Sequence, residues 1–133
     1  MVLDTSAVLA ILLNEPEIDP FSIAIESDPV RLLSAASLVE SSMVIEARYG
    51  EVGRRELDLL LQTIGIEIVA LDAHQAEVAC HAFRTFGKGR HAAGLNFGDC
   101  FSYALSQVAG EPLLFKGDDF SKTDIRAVAL GLP

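Results

Sequence analysis

Apolar residues in this chain follow two patterns, short uninterrupted runs and longer stretches that repeat every three to four positions. The short runs predict strands at 1–3, 30–33, 66–71 and 113–115, with a shorter fifth one at 128–130. The longer stretches predict helices at 6–13, 18–27, 35–49, 54–64, 72–86 and 97–108. Strands that alternate with helices indicate an α/β fold, in which helices cover both faces of a mostly parallel sheet of four to five strands.

Acidic residues stand where several of these apolar segments end or begin. Asp4 follows the first strand, Glu40 and Asp99 lie in early turns of helices, and Asp118 and Asp119 follow the fourth strand. A lone carboxylate beside buried segments is costly without a partner. Because parallel sheets bind ligands beyond the carboxyl ends of their strands, we expect these acids to share one edge of the sheet.

The first two acids also have structural interpretations. Asp4 is placed to cap the helix that follows it, unless a hydroxyl group of the next two residues does so. Ser37 and Glu40 match the S-x-x-E capping box. Ser34 is an equally good cap, and in that case Glu40 lies a turn further in with no capping role.

The later acids have such interpretations too. Asn96 can cap the last long helix, with Asp99 in its first turn. Gly-Asp-Asp at 117–119 is typical of a turn. The apolar neighbours of Asp99 are interpreted as core residues: Phe97, Cys100, Phe101, Ala104 and Leu105.

Composition narrows the class of protein. The 133 residues, half of them hydrophobic, fit a single domain spanning 1–133. A net charge of −9 argues against a broad basic surface for nucleic acid. No apolar run reaches the length of a membrane span and no basic leader precedes one, so we expect a cytoplasmic protein without membrane contact.

One segment, 84–91, is basic and contains no acid. Its charged or titratable side chains are Arg84, Lys88, Arg90 and His91. The segment either contacts phosphates of a ligand or is a solvated loop. Its glycines do not match the G-x-x-x-x-G-K-[ST] phosphate loop.

Other site chemistries lack the residues they need. The three histidines and two cysteines have no zinc-like spacing. No Gly-x-Ser-x-Gly elbow is present. Oxygen ligands for a hard cation such as Mg²⁺ or Mn²⁺ are the better match.

Four blocks carry a resemblance to a known family. They are Val-Leu-Asp-Thr-Ser-Ala at 2–7, Ser-Ala-Ala-Ser-Leu-Val-Glu at 34–40, Asn-Phe-Gly-Asp-Cys at 96–100 and Lys-Gly-Asp-Asp-Phe at 116–120. In this order they resemble the PIN-domain ribonucleases, and more closely the VapC toxins of bacterial toxin–antitoxin pairs. The resemblance implies a three-layer α/β/α fold over the whole chain.

It also implies Mg²⁺- or Mn²⁺-dependent cleavage of RNA by four acids. These fall on Asp4, Glu40, Asp99 and, in the last block, Asp119 or Asp118. The implied direct metal ligands are above all the first and third.

Further implications concern supporting residues and partners. Ser6 and Asn96 match polar positions that orient a carboxylate or water. The resemblance implies an RNA substrate of the tRNA or rRNA class, whose cleavage inhibits translation. It further implies a homodimer and a VapB-like antitoxin that covers the acidic cleft with a basic side chain.

Two other hypotheses compete. A PIN-like binding module without catalysis would bind no Mn²⁺. A phosphatase or response-regulator-like domain would use Asp4 as its phosphoacceptor, although the paired acids and the lysine placement expected for that chemistry are missing.

Overall fold

A computed structural model describes residues 1–131. In this range the strands are β1 Val2–Leu3, β2 Leu32–Ser34, β3 Glu67–Val69 and β4 Leu113–Leu114. The helices are α1 Thr5–Leu12, α2 Ile18–Ser27, α3 Ala35–Thr63, α4 Ala73–Phe86 and α5 Phe97–Ala109, followed by a 3-10 turn at Phe120–Lys122.

The strands form one parallel sheet in the order β3-β2-β1-β4. Val2 pairs with Leu32 on one side and with Leu113 on the other. Since β1 has neighbours on both sides, its carboxyl end lies in the middle of the sheet edge. The predicted parallel α/β fold is confirmed.

Each face of the sheet has its own hydrophobic core. Leu3 packs with residues of α1, α2 and α3, including Phe21 and Ile45. Val2 packs on the opposite face with residues of α4 and α5, including Tyr103. Adjacent residues of a strand point to opposite faces, so β1 contributes to both cores and three layers result.

Helix α3 corresponds to the two predicted helices, 35–49 and 54–64, which meet without a loop between them. It runs from Ala35 to Thr63 as one element with a break at Gly50, where φ is 61° and ψ is −147°. A side chain is strained in this conformation, which glycine adopts freely. The break therefore lies where the sequence indicated a helix end.

The predicted fifth strand at 128–130 is not formed. A single parallel bridge joins Leu113 to Ala127, and the Val128 N–H donates to the Leu113 carbonyl. The remaining strands are shorter than predicted, β3 covering 67–69 rather than 66–71. Within residues 1–131, no helix has both the length and the apolar character needed to cross a membrane.

Candidate active site

Asp4 lies at the carboxyl end of β1 and is 4% exposed. It is the N-cap of α1, because its Oδ2 accepts from the Ser6 N–H at 3.0 Å. The same oxygen accepts from Ser6 Oγ at 2.6 Å, and Oδ1 accepts from Ser102 Oγ at 2.6 Å. The hydroxyl groups of Thr5 and Ser6 thus do not replace Asp4 as the cap. Three donors compensate the buried carboxylate.

Ser6 connects Asp4 to the neighbouring strand end. While its hydroxyl donates to Asp4, it accepts from the Lys116 backbone N–H at 3.0 Å, just after β4. The lysine side chain pairs with Glu15 and lies 3.5 Å from Glu17. Its charge is therefore already matched by two acids, and these ion pairs raise its pKa.

Ser102 is a site residue that the sequence analysis missed. It is buried on α5, and its Oγ lies 3.3 Å from the Ser37 hydroxyl of α3. The signal in the sequence is its spacing: Ser102 comes three residues after Asp99, so the two share a helix face. A serine in an otherwise apolar stretch of this helix is the feature that could have identified it.

Asn96 and Asp99 form a reciprocal capping box at the start of α5. Asn96 Oδ1 accepts from the Asp99 N–H at 2.9 Å, and Asp99 Oδ2 accepts from the Asn96 N–H at 3.0 Å. The predicted cap is confirmed. The box fixes the orientation of the Asp99 carboxylate rather than consuming it, since its second oxygen has no part in the box.

The pKa of Asp99 is raised to about 6. Burial is the largest cause, and the hydrogen bond from the Asn96 backbone opposes it. The negative charges of Asp4, Asp119 and Glu40 raise the pKa further. Carboxylates from three other segments are thus close enough to repel the charge on Asp99.

Glu40 reaches this group from α3. Ser34 caps that helix, its Oγ accepting from the Ala36 N–H at 3.2 Å, so the alternative box with Ser37 is not the cap that forms. The Glu40 carboxylate lies against Gly98 of α5, where a Cβ would stand 2.0 Å from Oε2. Only a glycine at this position leaves room for the carboxylate.

Asp118 and Asp119 are both exposed in the loop after β4. Asp119 immediately precedes the 3-10 turn, and its charge contributes to the raised pKa of Asp99. The backbone carbonyl of Asp118 accepts from the Ser121 hydroxyl. We call Asp4, Glu40 and Asp99 the acid cluster. Asp119 is close enough for its charge to act on this cluster.

The acid cluster is open. Across the described range 1–131, no three acid, histidine or cysteine side chains stand close enough to share one metal ion. Mg²⁺ is usually held by one or two carboxylates and keeps several waters. A group of oxygen donors without a closed cage fits that cation. A bound cation would also offset the negative charges that add to the effect of burial on the pKa of Asp99.

The basic segment 84–91 is attached to the start of α5. The Lys88 N–H donates to the Leu95 carbonyl and the Leu95 N–H to the Phe86 carbonyl. Arg84, Lys88 and Arg90 are exposed. The segment thus lies next to the residue that precedes the Asn96 cap.

His91 has a structural role in this loop. Its Nδ1 accepts from the Ala93 N–H at 3.0 Å, and its ring packs edge-on against Phe86 at a centroid distance of 5.1 Å. The guanidinium group of Arg90 lies 5.5 Å from the centroid of the Phe83 ring. These contacts order the segment.

The core interpretation of the residues around Asp99 was wrong at one position. Cys100, Ala104 and Leu105 are buried, and burial raises the pKa of the Cys100 thiol to about 11. Phe101 is half-buried. Phe97, by contrast, is 81% exposed, because the first residue of α5 projects beyond the core.

Comparison with known proteins decides the family. The family model of the PIN domain matches residues 1–126. Ribonuclease VapC30 of Mycobacterium tuberculosis is 57% identical over 130 residues, covering 98% of this chain and 99% of the relative. This chain belongs to the VapC ribonucleases of the PIN-domain family. Another VapC ribonuclease, from Mycolicibacterium smegmatis, is 56% identical over 128 residues, covering 96% of this chain and 99% of its own.

Solved VapC structures share the fold. VapC20 of Mycobacterium tuberculosis, a Sarcin-Ricin loop cleaving toxin, aligns with a TM-score of 0.75 at 17% identity, over 93% of this chain and 95% of its own. VapBC2 from Rickettsia felis, bound to a DNA fragment from its promoter, aligns with a TM-score of 0.77 at 14% identity, over 96% of both chains. The VapC resemblance is confirmed, and this VapC-family chain is a ribonuclease toxin.

Proposed function

We propose that this protein is an endoribonuclease that depends on Mg²⁺ or Mn²⁺. The observation that carries the proposal is geometric. Asp4 is bonded to Ser102 and Glu40 contacts Gly98, and both of these partners belong to the helix that carries Asp99. The charges of Asp4, Glu40 and Asp119 also add to the raised pKa of Asp99, although burial is its largest cause, and a bound cation would offset these charges.

Asp4 and Asp99 are the proposed direct ligands of the ion. Glu40 and Asp119 would hold a second ion or water, or accept a proton from the attacking water, with Asp118 as the alternative to Asp119. A bound divalent ion supplies positive charge at the scissile phosphate and lowers the pKa of a water molecule.

The chain's own residues would position these groups. Ser6 and Ser102 fix both oxygens of Asp4, and Asn96 fixes one oxygen of Asp99. Glu40, held over Gly98, is placed at the start of α5, where its carboxylate can orient water. Little reorganisation of these side chains is then needed during the reaction.

The RNA would approach from the basic segment. Arg84, Lys88, Arg90 and His91 are the candidate contacts, and the attachment of this segment beside the start of α5 supports them. Because the rest of the chain is strongly acidic, phosphates are attracted only where cations are gathered. An RNA of the tRNA or rRNA class is the proposed substrate, cleaved in the cytoplasm so that translation stops.

The proposed partners are a VapB-like antitoxin and a second copy of this chain. Structural relatives include VapBC2 of Rickettsia felis and a toxin–antitoxin complex from Klebsiella pneumoniae. A basic side chain of the antitoxin would compensate the acid cluster in place of the ion, which would switch off cleavage.

The phosphoacceptor hypothesis expects a lysine side chain beside Asp4. Lys116, which follows the neighbouring strand β4, instead pairs with Glu15 and lies 3.5 Å from Glu17.

The test is cleavage of total RNA by the purified protein in Mn²⁺, in Mg²⁺ and in EDTA. Asp4→Asn and Asp99→Asn should abolish cleavage while circular dichroism shows the fold unchanged. Glu26→Gln, an exposed acid on α2, is the matched control and should cut normally. Equal cleavage by both aspartate variants and the wild type would disprove the site. The binding-module hypothesis predicts instead that calorimetry detects no Mn²⁺ binding.

A further inference from the structure

Phe97 is the most exposed large hydrophobic side chain among residues 1–131, at 81%. It is the first residue of α5 and comes two residues before Asp99. A single exposed apolar side chain is common, but Phe97 adjoins Val39, Met43 and Phe83, which are exposed as well. A continuous apolar patch of this kind often marks a binding site.

The ring is held in place rather than loosely attached. Phe97 and Phe101 form a T-shaped pair with centroids 4.7 Å apart and planes at 90°. The backbone at Phe97 directly follows the Asn96 cap of α5. A fixed ring loses little conformational entropy when a second flat group stacks on it.

Phe97 separates two surface grooves. The groove on one side is lined by Glu40 and Gly98 together with apolar side chains of α3, and so borders the acid cluster. The groove on the other side is also lined by Phe83 and Arg84 of α4. A strand that passes over Phe97 would therefore run from the acids to the basic end of α4.

The basic side chains on the α4 side of Phe97 are available to bind phosphates. In the part of the chain that the structure describes, Arg84, Lys88 and Arg90 form no ion pair with an acid. Arg54 and Arg55, in contrast, pair with acids of their own helix.

We propose that Phe97 stacks on a nucleobase of the RNA beside the bond that is cut, while Arg84, Lys88 and Arg90 contact the flanking phosphates. The inference rests on the proposed ribonuclease function and adds a residue that positions the substrate. Bases of single-stranded RNA stack readily on exposed aromatic rings, and nearby cations track the backbone.

Charge complementarity favours RNA over a second protein copy on this surface. RNA has to reach the acids to be cut, and it brings a phosphate for each of the cations Arg84, Lys88 and Arg90 that it passes. A second copy seated on Phe97 would instead cover the groove that Glu40 lines and close the way from these cations to the acids.

The first experiment measures binding to a short fluorescein-labelled single-stranded RNA in EDTA by fluorescence anisotropy. Phe97→Ala should bind about tenfold more weakly, in the range measured for the loss of one stacked base. Phe97→Trp should retain the affinity and Phe97→Leu should not, because stacking needs an aromatic ring. Ile23→Ala on α2, which removes a side chain that is 62% exposed, is the control and should bind like the wild type.

The second experiment places an abasic nucleotide at each position of the probe in turn. At one position the missing base should lower the affinity of the wild type but not that of Phe97→Ala, because the variant has no ring on which that base could stack. Cleavage in Mn²⁺ should then show a higher KM for Phe97→Ala, with kcat less affected.

Three results separate the possibilities. Wild-type protein that cuts RNA, together with Phe97→Ala or Phe97→Leu that binds equally well, overturns the stacking proposal alone. A wild type that neither binds nor cuts RNA overturns the proposed function itself. A lower mass of Phe97→Ala by light scattering shows that the ring belongs to an interface between protein copies, and this also overturns the stacking proposal.

Discussion

Ser102 Oγ donates a 2.6 Å hydrogen bond to Asp4 Oδ1, joining residues 98 positions apart in the sequence. The bond is buried and connects α5 to the end of the central strand. It fixes the oxygen of Asp4 that does not cap α1. The position of the first proposed metal ligand therefore depends on how α5 packs against the sheet.

Replacing Ser102 by alanine should weaken both the fold and the metal site. Asp4 would lose one donor in a buried position, which costs roughly 1.5–3 kcal/mol for a hydrogen bond to a charged group. We expect a lower melting temperature and weaker Mn²⁺ binding by calorimetry. Ser106→Ala is the matched control, because Ser106 is buried on the same helix and donates to the Glu111 carbonyl.

Both variants should be destabilised, but only Ser102→Ala should lose Mn²⁺ affinity. If the two bind Mn²⁺ equally well, the Ser102 hydroxyl has a structural role and no role in positioning Asp4.

Gly98→Ala should displace Glu40 without unfolding the protein. The added Cβ would stand 2.0 Å from Glu40 Oε2, and this carboxylate is at the end of a flexible side chain that can move away. Alanine in place of glycine also favours the helix. We expect an unchanged or slightly higher melting temperature and cleavage at least tenfold slower.

A double variant checks the cause of that loss. Gly98→Ala combined with Glu40→Gln should be no slower than Glu40→Gln alone, because both changes remove the same carboxylate from the site. Additive losses would mean that Gly98 acts by another route, such as direct contact with RNA.

The elements of the fold follow from local patterns, which is why they could be predicted. Helix α2 has the predicted bounds 18–27 because its apolar spacing and flanking residues are local signals. The break at Gly50 was found for the same reason. The prediction of a fifth strand was wrong because a run of three apolar residues does not show how many of them pair with a neighbouring strand. Only a single bridge forms, between Ala127 and Leu113 of β4.

The site was predicted only in part, since its contacts join distant segments. The acids could be placed because each lies near the end of a strand or in an early turn of a helix. The bond from Ser102 to Asp4 and the contact of Glu40 with Gly98 depend on the packing of α5 against β1 and α3. Phe97 was misjudged because apolar character alone does not say whether a helix end projects from the core.

The pH dependence of stability should report the raised pKa of Asp99. The ordinary pKa of an aspartate is 3.8 and the pKa of Asp99 in the folded protein is about 6, so the folded state binds this proton more tightly. The resulting stabilisation is complete below about pH 4 and is lost as the pH rises through 6. Metal-free Asp99→Asn should therefore melt at a higher temperature than the wild type at pH 7, with the difference disappearing near pH 4.

Glu26→Gln serves as the control for the loss of one negative charge and should show no such pH-dependent difference from the wild type. A constant difference between Asp99→Asn and wild type across this pH range would contradict the raised pKa.

The two acids after β4 can be separated by replacing each in turn. The charge of Asp119 contributes to the raised pKa of Asp99, and Asp118 is its exposed neighbour in the same loop. Asp119→Asn should therefore weaken Mn²⁺ binding and slow cleavage by an order of magnitude or more, whereas Asp118→Asn should have little effect. NMR titration of the metal-free protein should also find a lower pKa for Asp99 in Asp119→Asn, because one repelling charge is gone. The opposite result, with cleavage lost in Asp118→Asn and kept in Asp119→Asn, would assign the fourth acid to Asp118.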